Sequence, residues 1–360
     1  MPSVSHATCS STDRERITME YLPFATAIRR QPDELPRVIA SINHSLDGQA
    51  IDPWLPGQTV AILAMGASTN SSHALTAALT SVGVRTTSQT PRELLAMPAD
   101  CQAGDHYVVV SESGRSPEPL EFSARARTGA RIGITNFPDQ AIAGVVDTVI
   151  SLGGVDDSAA YSIGYLGTLV AYSALLRRAG HPSVAIDEDG LPDLVQQVLA
   201  RSLEAASAIA ERFEAVSSTD FVGHSYSFSS AAEGALLFRE ALGLPGAAFD
   251  TYQYLHGPAE SASGTSGVIF LGDGRELVLA EELARAGVPT LAVTAVADDR
   301  QNQLQESGVV ILSVPAVEGI ARAVAETVAL HAVVEGIALK RRISIETFNY
   351  SQPDTKLQES

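Results

Sequence analysis

The sequence predicts an α/β protein made of two βα units in tandem. Three observations carry this. Short apolar runs of strand length at 59–64 and 106–110 each enter a turn and then a helical stretch, and 267–274 occupies the matching place in the second half. The layout occurs once in each half of the chain. Aromatic residues make up only 6% while alanine and branched aliphatics abound, a composition that suits parallel strands covered by helices on both faces.

The elements follow in order. Residues 1–16 read as a loose polar tail. Residues 19–42 read as helical, with Leu22, Ala25 and Ile28, then Leu35, Val38 and Ile39, at helical spacing; Pro32 reads as the start of a second helix with Gln31 near its cap. A strand at 59–64 leads into Met65-Gly66-Ala67-Ser68 and a helix at 70–82. A short strand at 84–88, a helical turn at 91–95 and a strand at 106–110 come next. Two further short strands lie at 132–136 and 148–150, and alanine-rich helices at 161–179 and 191–216 lead to the second half. There a strand at 220–225 enters a turn and a helix at 231–241; strands follow at 267–272, 289–293 and 309–314, then a long helical segment at 317–343. The expected division is an N-terminal tail and helices at 1–45, a first domain at 46–200, a second at 201–345, and a tail at 346–360. Parallel sheets of this kind place ligands at the carboxyl ends of their strands.

A net charge of −18 over 360 residues disfavours nucleic acid, whose phosphates it would repel. Cys9 and Cys101 are too few for a disulfide framework or a zinc site, and the eight histidines do not pair with acids or cysteines at metal-ligand spacing; no metal or other cofactor is expected. The best apolar run, 141–155, is interrupted by Asp147 and Gly153-Gly154, so no membrane span is expected, and 1–16 lacks an apolar signal core. A cytoplasmic protein is the simplest expectation.

The chemistry concentrates in Ser111-Glu112-Ser113-Gly114-Arg115-Ser116, between a strand and a helix at 118–127. Backbone N–H groups at a helix start favour an anion. Ser111, Ser113 and Ser116 add hydroxyl donors, and Gly114 lets the backbone approach a ligand. This is the pattern of a phosphate cradle; an ordinary capped βα connection is the competing reading. The second half lacks the serine cluster, so one phosphate site per chain is expected.

Several segments together resemble the sugar-isomerase (SIS) family, in particular the tandem domains of the isomerase half of glucosamine-6-phosphate synthase and its deaminase relatives. The resemblance spans about residues 20–350. Residues 111–116 resemble that family's S-x-S-G-x-T loop, with Ser116 in the threonine position, and Gly66-Ala67-Ser68 resembles its Gly-Thr-Ser turn. Glu233-Gly234-Ala235-Leu236 through Arg239-Glu240 resembles its E-G-A-L-x-x-x-E helix, and His256-Gly257-Pro258 follows Glu240 at the family's spacing. Ile134-Thr135-Asn136 and residues 31–35 also have counterparts. The resemblance implies two tandem SIS domains, each a flavodoxin-like three-layer αβα unit with a parallel five-stranded sheet.

Moving hydrogen between C1 and C2 of a sugar phosphate needs a base near both carbons, and opening the pyranose ring needs an acid or base at the ring oxygen. Glu240 and His256 suit those roles, and the resemblance assigns them so; an exposed helix face and a turn residue are the plain alternatives. In the related enzymes the equivalent histidine enters the neighbouring subunit's site, which implies a homodimer. Glu233 serves equally as a helix-start residue. Gly66, Ser68, Ser111, Glu112, Ser113 and Ser116, with Tyr161 and Ser162, are the expected phosphate and sugar contacts.

The chain departs from the family twice. A Ser-Thr-Lys stretch of the synthase is Tyr161-Ser162-Ile163 here, beyond the acidic pair Asp156-Asp157, which adds bulk at the sugar pocket. The family's C-terminal Schiff-base lysine follows a D-x-P-x-x-L pattern; with Pro353 as that proline, Gln358 takes the lysine position and Lys356 lies two residues early. Lys356 is the candidate substitute, with an exposed tail lysine as the alternative. Cys9 lies in a Ser/Thr-rich stretch and is not a first residue, so glutamine-fuelled synthesis by this chain alone is not expected. The expected function is conversion of an amino-sugar phosphate, glucosamine 6-phosphate or an analogue, to the ketose phosphate with release of ammonia. Alternatives are an isomerase or deglycase on another phosphorylated substrate, a sugar-phosphate-binding regulator, and a partner that activates a separate enzyme.

Overall fold

The computed structural model describes residues 21–87, 89–345, 348, 350 and 353–358. Cys9 and the expected tail at 1–16 lie outside the described residues.

Helix α1 (Phe24–Leu46) leads into β1 (Thr59–Leu63), α2 (Ala67–Ser81), β2 (Arg85–Thr86), α3 (Pro91–Leu94), β3 (His106–Val110), α4 (Pro117–Arg125), β4 (Arg131–Thr135), β5 (Thr148–Ser151) and α5 (Ile163–Arg178). Helix α6 (Leu191–Arg212) precedes β6 (Ser218–Gly223), α7 (Tyr226–Leu242), β7 (Gly246–Asp250), α8 (Thr251–Tyr254), β8 (Ser266–Leu271), α9 (Arg275–Arg285), β9 (Thr290–Thr294), α10 (Asp298–Glu306), β10 (Val310–Ser313) and α11 (Gly319–Arg341). The strands form two parallel five-stranded sheets, ordered β2-β1-β3-β4-β5 and β7-β6-β8-β9-β10. The two orders are the same when strands are counted from the start of each half, the flavodoxin-like arrangement. The pseudo-symmetry expected from the repeated layout is therefore present in the topology, and the chain contains two parallel five-stranded α/β units in tandem.

Every residue of β3 is buried, as expected of a central strand covered on both faces. Helix α11 is buried from Ile320 to Ala338 on nearly all sides, which suits a helix between layers rather than an amphipathic surface helix. It packs on α6 and α7, while α1 lies against α5 and α6, so the helices join the two sheets into one core.

The expected break at Pro32 does not occur: α1 runs through both Pro32 and Pro36. Ala27, Ile28, Gln31, Pro32, Leu35, Val38 and Ile42 form one buried face, and its packing outweighs the backbone bonds that the two prolines forgo. The helix expected at 70–82 starts at Ala67, and that expected at 231–241 starts at Tyr226, so both begin directly at the turns after β1 and β6. No helix among the described residues is long and apolar enough to cross a membrane.

Candidate active site

In each sheet the chain reverses direction of travel between its first and third strands, and ligands in such folds bind outside the strand ends at that switch point. In the first sheet the two loops flanking it are Gly66–Ser68 after β1 and Ser111–Ser116 after β3. Sheet order thus brings together the two motifs singled out from sequence.

The second loop is organised by its own serines. The Ser111 hydroxyl donates to Ser116 Oγ at 3.0 Å and accepts the Ser116 N–H at 3.2 Å, and Ser113 Oγ accepts the Arg115 N–H at 3.4 Å. Ser111 and Ser113 are buried and Ser116 is half-buried at the start of α4. Gly114 has φ +65°, and a Cβ there would lie 2.8 Å from Gln140 Cβ and 3.0 Å from the Phe137 carbonyl oxygen. Its lack of a side chain therefore serves packing against the β4–β5 connection.

Ala67, Ser68, Ser71, Glu112, Tyr161, Gly164, Tyr165 and Thr168 line a narrow cleft of about 10 Å³ at this point. Glu112 Oε1 accepts the Asn136 amide at 3.1 Å, whereas its Oε2 is closed off from solvent without a hydrogen-bond partner. Burial and the nearby Asp157 carboxylate push the Glu112 pKa up to about 7, against the pull of the Tyr161 hydroxyl, Asn136 and Lys356. Burial, together with Glu112, raises the Tyr161 pKa as well.

The C-terminal segment lies on this loop. The Leu357 N–H donates to the Arg115 carbonyl at 2.8 Å, and Lys356 Nζ donates to the Tyr161 hydroxyl at 3.5 Å. Lys356 is half-buried, and desolvation lowers its pKa against the opposing effect of Glu112. Tyr21 completes the surroundings: it hydrogen-bonds Tyr161 and feels the Glu112 charge, and nothing in the sequence pattern marked it.

Ser162 is placed elsewhere than a substrate contact would be. It is fully buried and donates to Asp157 Oδ1 at 2.7 Å, while Asp157 also accepts N–H bonds from Ser158, Ser162 and Gly164. This network fixes the start of α5, because a buried carboxylate must have its lone pairs satisfied.

Helix α7 runs antiparallel to α2. Tyr226 bonds Ser81, His73 and Phe228 stack edge-on at 4.6 Å, and the Asn70 amide donates to Glu233 Oε2 at 3.0 Å. Glu240 lies seven residues, about two turns, beyond Glu233 on α7. Glu240 is exposed along its side chain, yet atoms around its carboxyl desolvate it enough to push its pKa up to about 7. Glu233 is fully buried and pushed up to about 8 by desolvation, with the Glu240 charge adding to the effect.

His256 stands apart. It is exposed, none of the described residues hydrogen-bonds its imidazole, and Tyr252 and Leu255 beside it are exposed as well.

The matching switch point of the second sheet carries an open cleft of about 380 Å³ lined by His224, Ser225, Ser227, Asp273, Glu276 and Arg322, among others. Here carboxylates take over from hydroxyls. Glu276 Oε2 accepts the Gly274 N–H at 3.1 Å, and Asp273 accepts the Ala295 N–H and both terminal nitrogens of Arg322, at 2.9 and 3.1 Å.

No protein-family model and no curated protein sequence matches the chain. Solved structures do. The C-terminal domain of glucosamine-fructose-6-phosphate aminotransferase from Francisella tularensis aligns with TM-score 0.76 at 17% identity, over 91% of this chain and 99% of that one. Glucosamine-6-phosphate deaminase from Thermotoga maritima aligns with TM-score 0.71 at 18% identity, over 91% and 98%. Tagatose-6-phosphate ketose/aldose isomerase from Escherichia coli aligns with TM-score 0.69 at 17% identity, over 89% and 95%. At these identities the likeness speaks for architecture, and it extends over both sheets and nearly the whole chain: this is a protein of the tandem sugar-isomerase (SIS) fold.

Proposed function

We propose that the chain is a phosphosugar isomerase or deaminase acting on an amino-sugar phosphate such as glucosamine 6-phosphate. The observation that carries this reading is the placement of the Lys356 amine, of lowered pKa, on the Ser111–Ser116 loop beside Tyr161 and Glu112. A desolvated amine next to an anion-binding loop suits attack on the keto carbon of a bound ketose phosphate. The Ser111, Ser113 and Ser116 hydroxyls and the start of α4 supply phosphate donors; Gly66 and Ser68 form the opposite wall. Glu240, with a pKa near working pH, is the carboxylate suited to carry a proton between C1 and C2. The exposed His256, flanked by exposed Tyr252 and Leu255, fits a homodimer in which each copy lends its imidazole to the other's cleft for ring opening.

The tightness of the cleft, with Tyr161 and Glu112 both in it, favours a second reading: a sugar-phosphate binder without turnover. Proton NMR of glucosamine 6-phosphate with the protein in D2O, with an ammonia assay, separates the two. Fructose 6-phosphate and ammonia, both lost in Glu240→Gln, establish the deaminase; deuterium incorporation without ammonia establishes an isomerase. Binding without either supports the second reading.

A further inference from the structure

Glu112, Tyr161 and Lys356 form a chain of polar groups across the cleft. Lys356 Nζ contacts the Tyr161 hydroxyl at 3.5 Å, and that hydroxyl lies beside the Glu112 carboxyl. One oxygen of Glu112 is anchored by Asn136, which itself bonds the Val155 carbonyl at 2.9 Å and accepts the Val155 N–H at 2.9 Å. The other, Oε2, is buried with no hydrogen-bond partner. A carboxylate oxygen held this way costs stability, and Glu112 lines the same cleft as Ser68. A charged residue between two phosphate-loop serines is also an odd choice for phosphate binding alone, because a carboxylate repels the anion.

We propose that Glu112 and Tyr161 relay protons to and from Lys356 during Schiff-base formation with the keto sugar phosphate. This rests on the function proposed above and assigns Glu112 a part in turnover beyond holding substrate. The balance is as follows. The Lys356 ammonium gives a proton to the Tyr161 oxygen while the Tyr161 proton passes to Glu112. The freed amine attacks the keto carbon, a C–N bond forms, and the carbonyl oxygen takes up a proton from the nitrogen. Glu112 then returns its proton to that hydroxyl, which leaves as water as the C=N bond forms. Ketone and ammonium have become iminium and water, and Glu112 is a carboxylate again.

The groups facing Glu112 are Asp157, Tyr161, Asn136 and Lys356, with Tyr21 beyond Tyr161 and Arg115 beside the tail. The relay thus sits between a carboxylate that favours proton uptake and an ammonium that favours release.

The test is reductive trapping of fructose 6-phosphate on the full-length protein with cyanoborohydride, read by peptide mass mapping. The wild type is expected to carry the sugar on Lys356, with a trapping rate that rises through an inflection near pH 7. Glu112→Gln is expected to bind fructose 6-phosphate with little change in affinity, to trap it about 10²-fold more slowly or worse, and to lose that inflection. Tyr161→Phe, which keeps the ring, provides the same reading if Glu112→Gln does not fold, as checked by circular dichroism. Trapping at wild-type rate with the inflection intact overturns the relay. Solvent-deuterium exchange into the sugar by the wild type without any Lys356 adduct overturns the relay alone; absence of both overturns the isomerase reading with it.

Discussion

Gly66 and Ser225 hold the same unusual backbone conformation at equivalent places in the two halves, φ 58° and ψ −134° against φ 58° and ψ −124°. Each ends the turn after the first strand of its sheet and starts the helix that follows. Glycine adopts this conformation freely, whereas a side chain there costs of order 1–3 kcal/mol. The second half tolerates the strain at Ser225, on the lip of its cleft. Ser225→Gly is expected to raise stability by about 1 kcal/mol, strain relief being partly offset by the greater freedom of glycine in the unfolded chain. The midpoint of urea denaturation measures this; a fall would show that the Ser225 hydroxyl contributes more than its backbone costs.

Six carboxyls among the described residues have raised pKa values, those of Glu112, Asp157, Asp220, Glu233, Glu240 and Glu326, and the effect of such a shift on stability has a definite sign. Glu233 titrates near 8 in the fold against 4.5 as the ordinary value, and Glu112 near 7. A raised carboxyl pKa means that the folded protein holds protons the unfolded chain has lost. The contribution of these groups to stability is therefore full below about pH 4.5 and declines as pH rises toward 7–8. For buried Glu233 the loss is on the order of 3–5 kcal/mol at most; Glu240, being exposed, contributes little. Glu233→Gln retains an acceptor for the Asn70 amide and is expected to flatten this decline, measured as denaturation midpoint from pH 5 to pH 8. A curve parallel to the wild type would mean that Glu233 is ionised in the fold.

Gly114 illustrates how a correct residue can be singled out for a different reason. In the sequence it reads as permission for a ligand to approach the backbone; in the structure its missing side chain leaves room for Gln140, Phe137 and Thr135. Gly114→Ala would bring Cβ within 2.8 Å of Gln140 Cβ at φ +65°. It is expected to destabilise by roughly 2–4 kcal/mol and to weaken sugar-phosphate binding by displacing Ser113 and Arg115. Thermal denaturation and isothermal titration with glucosamine 6-phosphate check the two effects.

What was legible follows physical lines. Strands β1, β3 and β8 are buried on both faces, so continuous apolar runs announce them. Strand β7 is Gly-Ala-Ala-Phe-Asp at a sheet edge, and a Cβ on Gly246 would lie 2.6 Å from the Ala235 carbonyl; close packing of α7 demands small residues and erases the strand signature. Helix α10 buries only Leu304, so it has no apolar stripe to show a period. The Ser111–Ser116 loop and the helix bearing Glu233 and Glu240 are contiguous motifs and could be read directly. The cluster of Tyr21, Tyr161, Glu112 and Lys356 joins distant parts of the chain, and no spacing encodes it.

The tail offers the most direct test of the site. Lys356 reaches Tyr161 because the Leu357 N–H is tied to the Arg115 carbonyl at 2.8 Å. Leu357→Pro removes that donor and leaves the Lys356 side chain unchanged. If docking through this bond positions the amine, kcat/KM for the sugar phosphate should fall about tenfold, for a bond worth roughly 1–1.5 kcal/mol. Lys356→Arg keeps a cation but cannot form a Schiff base, so it should lower kcat by about 10³-fold or more while substrate affinity holds. The two variants diverge by design: the first impairs delivery of the amine and the second its chemistry. Lys356→Arg with near-normal kcat would place Lys356 outside the reaction and leave Glu240 to act without covalent help.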